Sequence, residues 1–174
     1  MELTDLLPVE KWKEFELELT ERSGLSANVF DTDGIRITDY HFWPNALCTA
    51  VKDTDKGQAF ICAVAHMNLA AMARQSGESV IEECDAGLVK LVVPVTVDGE
   101  FLGAVGACGL LLDDGEVDDF LVNKITEIDE ETVAKLSEGI GVISEADLKA
   151  LGEFIKKRLD AVISDYRSQR NTNQ

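Results

Sequence analysis

Cys48, Cys62 and Cys84 form a spaced series along the chain, and a fourth cysteine, Cys108, follows them. Cysteine thiolates are soft donors suited to zinc, copper or iron–sulfur centres. Cys62 and His66 stand four apart in a predicted helix, a spacing that puts both on one face. The set Cys48, Cys62, Cys84, His66 and Cys108 is therefore a candidate metal site, with zinc or an iron–sulfur cluster as its occupant. The chain has no Cys-x-x-Cys pair, and free cysteine also serves as a small buried hydrophobe. A metal centre, a redox pair of thiols and plain buried thiols all stay open on these residues alone. Cys48, Cys62 and Cys84 fall on different predicted elements flanking one sheet, so they are expected to converge.

A second cluster precedes Cys48: Tyr40-His41-Phe42-Trp43-Pro44-Asn45. Aromatic surface with a few polar tips is what small-molecule pockets use, so Tyr40, Phe42 and Trp43 are expected to wall one. The alternative is a loop anchor that closes over the core. Catalysis has little to work with. There is no glycine-rich phosphate loop, no nucleophile elbow and no HExxH. His41 and His66 are the only histidines available as bases. The chain reads as a binding protein rather than an enzyme.

The elements that must position these residues follow from periodicity. Val9, Trp12, Phe15 and Leu19 mark a helix over Leu6–Arg22, stopped by Gly24. Leu25–Phe30 and Ile35–Thr38 read as a hairpin around the turn Asp31-Thr32-Asp33-Gly34. A long helix is expected over Thr54–Gln75 and a strand over Ser79–Glu83. Leu88–Val97 is the clearest strand: Val89, Leu91, Val93, Val95 and Val97 share one face, while Lys90 and Thr96 take the other. Asp98-Gly99 favours a type I′ turn into an antiparallel return over Phe101–Ala107. Acidic residues 113–119 enter a helix, and another is expected near Glu130–Ser137. Ser144 looks like the N-cap of a last helix ending about Arg167. Hairpin-linked strands with helices between them predict an α+β fold, a central, mainly antiparallel sheet flanked by helices.

Composition bounds the rest. The 174 residues suit one domain with a real core, here taken as 1–170, with 171–174 as a disordered tail. Thirty-three acidic against 16 basic residues give a net charge of −17. A field of that sign repels nucleic acid and anionic lipid. No basic leader or long apolar run argues for secretion or a membrane span, so a cytoplasmic location is expected. On the last helix, Leu148, Leu151, Ile155, Leu159, Val162 and Tyr166 advance by three or four. That stripe packs on the sheet or forms a seam between two copies. We expect a homodimer through it, flanked by Lys156, Arg158 and Asp165.

Several of these segments resemble one family. Ser76-Gly77-Glu78-Ser79-Val80, Cys84-Asp85-Ala86-Gly87-Leu88, Val93-Pro94-Val95-Thr96-Val97-Asp98-Gly99-Glu100 and Leu102-Gly103 occur in the order seen in PocR-type sensory domains. Cys48 and Cys62 match the positions of cysteines in that family. The resemblance spans roughly residues 3–160 and is most specific over 76–103. It implies a PAS/GAF-like sensor of small hydrocarbon derivatives in prokaryotic signalling, with an output protein as partner. It also implies a ligand site between the sheet and the Tyr40–Cys48 loop, using Tyr40, Phe42, Trp43 and Cys48, with Cys84, Gly87 and Leu88 at its mouth. Asp85 stands where the family often has histidine, and His66 where an acid is usual. These departures keep a metal- or cluster-based redox role for Cys48, Cys62 and Cys84 as the alternative.

Overall fold

A computed structural model describes residues 1–172 of the chain. Four strands form an antiparallel sheet in the order β1-β4-β3-β2: β1 Ser26–Asp31, β2 Val80–Glu83, β3 Val89–Val97 and β4 Glu100–Leu112. A short β5, Val142–Ile143, adds to the end of β4 in parallel. The α+β fold expected from the hairpin pattern is the one observed.

β3 is built as its alternation dictates. Val89, Leu91, Val93, Val95 and Val97 all enter the main core, together with Trp12, Leu19, Leu148 and Ile155. That core lies between the sheet and two helices, α2 (Val9–Ser23) and α8 (Glu145–Thr172). Asp98 and Gly99 both have positive φ, 51° and 83°, as a type I′ turn requires. Gly24 ends α2 in the left-handed conformation, and Ser144 Oγ accepts from Asp147 N at the start of α8.

Several local expectations are corrected. Pro8 sits before α2, not within it, and Leu3–Leu6 is a separate turn, α1. The expected partner strand Ile35–Thr38 reduces to a single bridge, Phe30 to Arg36, and β1 pairs along its length with β4. A helix that was not expected, α3, covers Ala46–Lys52. The long helix over 54–75 is interrupted: a short turn α4 (Asp55–Gly57) leads through a π-helical segment, Gln58–Ala63, into α5 (Val64–Ser76). Two further helices, α6 (Asp119–Thr126) and α7 (Glu130–Leu136), close one end. The helix α8 continues through Asn171 and Thr172, two residues assigned from sequence to a tail; residues 173 and 174 lie outside the described residues.

The apolar stripe of α8 is not a free seam. Leu148, Leu151, Ile155 and Leu159 are buried in the domain's own core, and Val162 and Tyr166 pack against it. Arg158 pairs with Glu18 at 3.0 Å and Lys156 with Glu78 at 3.9 Å, both within the chain. The motive for a dimer through this helix is therefore removed: its apolar face is already covered.

β4 carries two irregularities that matter for the site. Between Val95 and Thr96 the register slips, so Leu102 and Val105, three apart, both reach the main core. Between Val89 and Lys90 it slips again, leaving Gly109 unpaired on β4. Bulges bend a strand and re-aim its neighbours. Gly109 has a φ of 108°, and its carbonyl accepts from Asn45 Nδ2 at 2.6 Å. Asn45 Oδ1 in turn accepts from Cys48 N, capping α3. The second bulge thus fixes where α3 starts, and with it the height of Cys48 above the sheet.

Glu16 ties the loop over the sheet to α2. It is fully buried, and its carboxylate accepts from Val29 N at 2.8 Å and from the Thr38 hydroxyl. Burial pushes this carboxyl up to about 7, against those hydrogen bonds and the nearby Arg36 charge. The folded chain therefore holds this proton more tightly than the unfolded chain, whose value is near 4.5. Stability owed to Glu16 is full below pH 4.5 and falls as pH rises to about 7. Glu16→Gln should remove that loss. Urea unfolding of both proteins is expected to show the variant gaining, relative to wild type, on the order of 3 kcal/mol between pH 4.5 and 8. Parallel pH profiles would refute this role.

Candidate functional site

The face of the sheet opposite the main core carries Lys90 and Val92 on β3, Ala104 and Cys108 on β4, and Asn28 and Phe30 on β1. Helix α5 covers the end near Val92 and Ala104. Toward Lys90 and Cys108 the cover stands off, leaving a cavity of about 400 Å³. Its floor is Asn28, Phe30, Lys90, Cys108 and Gly109, with Cys84 and Leu88 at one side. Its roof comes from the 34–41 segment, from Cys48 and Lys52 on α3, and from Gln58, Cys62, Ala63, Ala65 and His66. The size is that of a small-ligand site.

The π-helical segment makes that roof. A π turn accommodates an extra residue, and such segments recur at functional sites. Here it turns Gln58, Cys62 and Ala63 toward the cavity while α5 still presents Ala65 and His66. All four cysteines line this one space. The expected convergence of Cys48, Cys62 and Cys84 is thus a shared cavity wall, joined by Cys108. All four are free thiols. Burial pushes the Cys84 thiol up to about 11, and raises Cys48 further still, with the neighbouring cysteines adding to the rise. Both stand protonated at neutral pH, and a thiol is a poor metal ligand and nucleophile beside a thiolate. Among the described residues, no three His, Cys, Asp or Glu side chains are grouped closely enough to hold one metal ion. Cys48, Cys62, Cys84, His66 and Cys108 share one cavity.

His66 is 3% exposed and stacks on Phe30, with ring centroids 3.5 Å apart. Neither of its ring nitrogens finds a hydrogen-bond partner among the described residues. Burial, with the charges of Lys90 and Arg36, drives its pKa down to about 3, so the ring is neutral. Asn28 Oδ1 is also buried without a partner, while its amide nitrogen donates to Ser26 O at 3.3 Å. Lys90 is 5% exposed and Arg36 half-buried; their charged ends lie 5.9 and 5.4 Å from the Phe30 ring centre. Arg36 donates to the Tyr40 carbonyl at 3.1 Å, and burial lowers its pKa.

The residues expected to wall the pocket are arranged differently. Tyr40, Phe42 and Trp43 do not line the cavity; His41, between them, does. Phe42 is 37% exposed. The Trp43 ring centre lies 4.7 Å from Lys52 Nζ and 5.7 Å from the Arg36 guanidinium. Trp43 holds those side chains rather than a ligand. Cys48, Cys84 and Leu88 do line the cavity, whereas Gly87 packs against the chain at Glu116. A Cβ on Gly87 would come within 2.2 Å of the Glu116 carbonyl oxygen. Asn28, Phe30, Arg36, Lys52 and Lys90 were missed from sequence. Only Lys90 carried a signal, as the one charge inside an otherwise valine-rich strand.

The match to known proteins agrees with this architecture. Residues 5–166 match the family profile of the sensory domain found in PocR. The chain belongs to the PocR sensory-domain family. No curated protein and no solved structure matches it. The family match makes this PocR-type chain a sensory domain, and all four cavity cysteines fall within the matched residues. Among the described residues, no helix is long and apolar enough to cross a membrane.

Proposed function

We propose that this domain senses a small molecule held in the cavity between Lys90, Cys108 and Asn28 on the sheet and Cys48, Cys62 and His66 on the helical roof. The observation that carries the reading is one cavity of about 400 Å³ beneath the π-helical roof, lined by His66 and Asn28, two residues whose ring nitrogens and Oδ1 are buried without a partner among the described residues. A buried polar group left unpaired costs about 1–3 kcal/mol. A bound molecule that pairs them recovers that cost and gains orientation in the same step. In this reading the buried thiols of Cys48 and Cys84 serve as soft, compact walls.

Occupancy has a route outward. The roof residues Cys62 and His66 belong to the π-helical segment and α5, whose outer surface exposes Phe60, Val64 and Met67. A shift of this roof on binding alters the surface seen by a signalling output protein.

The test is amide and side-chain NMR of the 174-residue chain titrated with a library of polar fragments of fewer than about 12 heavy atoms. Binding fragments are expected to shift Lys90, Cys108, Cys62 and His66 together. Shifts gathered instead around Arg74 and Phe101, which line a separate depression beyond His66, would contradict the assignment.

A further inference from the structure

The cavity has the wrong charge for this protein. The chain carries 33 acidic and 16 basic residues, yet the cavity lining contains Arg36, Lys52 and Lys90 and no aspartate or glutamate. Among the described residues none of these three cations forms an ion pair with a carboxylate. Glu82 lies opposite Lys90 on β2 but is exposed and makes no such pair. Glu16 stands near enough to Arg36 for the two charges to act on each other, but it forms no ion pair and both its oxygens already accept hydrogen bonds. A buried charge is retained at high cost unless something pairs with it.

We propose that the ligand is a small organic carboxylate, its anionic head held between Lys90 and Arg36 and its body lying among the cysteine and alanine side chains of the roof. This rests on the cavity being the ligand site and adds the ligand's chemical class. Lys90 and Arg36 lie 5.9 and 5.4 Å from the Phe30 ring centre, His66 stacks on that ring, and both charges act on His66, so the two cations flank one aromatic pair on the cavity wall. Arg36 matches a planar carboxylate through its forked donors. The same fork also fits phosphate, which commonly adds a row of free backbone N–H groups at a helix start. The nearest helix start, that of α3, is closed by its own Asn45 side chain. Leu88, Ala63, Ala65 and the thiols give the lining an apolar part that suits a short apolar body, beside the polar Asn28, Thr38, His41 and Gln58.

The experiment compares matched pairs of probes that differ in charge alone, butyrate with butyramide and benzoate with benzamide, plus orthophosphate, by calorimetry and NMR. At least one carboxylate is expected to bind in the cavity ten-fold or more tightly than its amide, and to weaken with added salt. Lys90→Met should erase that ten-fold preference by lowering carboxylate affinity toward that of the amide. Because it removes an unpaired buried charge, the same variant should melt about 2–4 °C higher. Arg36→Gln is the second variant and should also reduce the preference. Amide and carboxylate binding equally well in the cavity overturns the carboxylate and leaves the cavity assignment standing. Orthophosphate binding more tightly than every carboxylate overturns it as well. Binding of none of these probes overturns the carboxylate, and binding of them only outside the cavity overturns both readings.

Discussion

Cys108→Phe is expected to abolish ligand binding, lowering affinity by at least about 100-fold, while the domain stays folded. Cys108 sits on β4 between its ladder partners Ser26 and Lys90, so its Cβ is fixed by two strands. A phenyl ring there projects from the rigid floor into the space of about 400 Å³ shared with Cys48, Cys62 and Cys84. A hundred-fold loss corresponds to about 2.8 kcal/mol of binding free energy. Stability should change by less than about 1.5 kcal/mol, because the ring enters space rather than displacing packed atoms. Titration of wild type and variant with any fragment that binds the cavity, beside their melting curves, separates the two effects. Unchanged affinity in a folded variant would place the ligand elsewhere.

Gly109→Ala should be the most damaging single methyl group in the site. Gly109 combines a φ of 108° with a close neighbour: an added Cβ would lie 2.3 Å from Pro44 Cγ and 3.5 Å from Cys48 Sγ. A left-handed conformation of this kind costs an alanine about 1–3 kcal/mol before any clash. The proline ring has little freedom to yield. Relief comes by lifting Pro44 and Asn45 from the bulge, which breaks the Asn45 contact to the Gly109 carbonyl and uncaps α3. The expected loss is about 2–4 kcal/mol in unfolding free energy, together with weaker fragment binding, since Cys48 and Lys52 ride on α3. Gly99→Ala serves as the comparison: it shares a positive φ, 83°, but has nothing within 4 Å of the added Cβ. Equal destabilisation of the two variants would remove the clash from the explanation.

What sequence revealed and what it hid divide along one line. Val89 to Val97 declared its period and its buried face, and Asp98-Gly99 its turn, because both signals lie within a few residues. Gly24 and Ser144 marked helix ends for the same reason. The partner of β1 did not show. Asp31-Thr32-Asp33-Gly34 does turn the chain, but Ile35 is 62% exposed and contributes no strand, and the ladder goes to β4 some 75 residues on. Pairing at that distance leaves no local trace. The helix α3 was hidden by its brevity and by Pro44-Asn45, which read as loop residues although Asn45 is in fact the cap.

The site divides the same way. Shared use of the cysteines was legible, because residues on elements around one sheet can meet. Their role as walls was not, since burial sets a thiol's protonation and burial is a tertiary property. Lys90 was visible as the charge on the far side of a valine strand. Alternation alone assigns that side to solvent, and only the roof made by the π-helical segment and α3 buries it. Tyr40, Phe42 and Trp43 misled because aromatic composition marks a region and not a direction. Their loop forms part of the roof through His41, while Trp43 packs beside Arg36 and Lys52.

The most direct measurement is a crystal structure of the 174-residue domain grown with the tightest-binding fragment in ten-fold excess over its Kd. The account predicts electron density for the fragment beneath the π-helical segment, in contact with Lys90 and within hydrogen-bond distance of a His66 ring nitrogen or Asn28 Oδ1. Density for the fragment only in the depression beside Arg74 and Phe101, with the side chains of Lys90 and His66 unmoved and unpartnered, would contradict it.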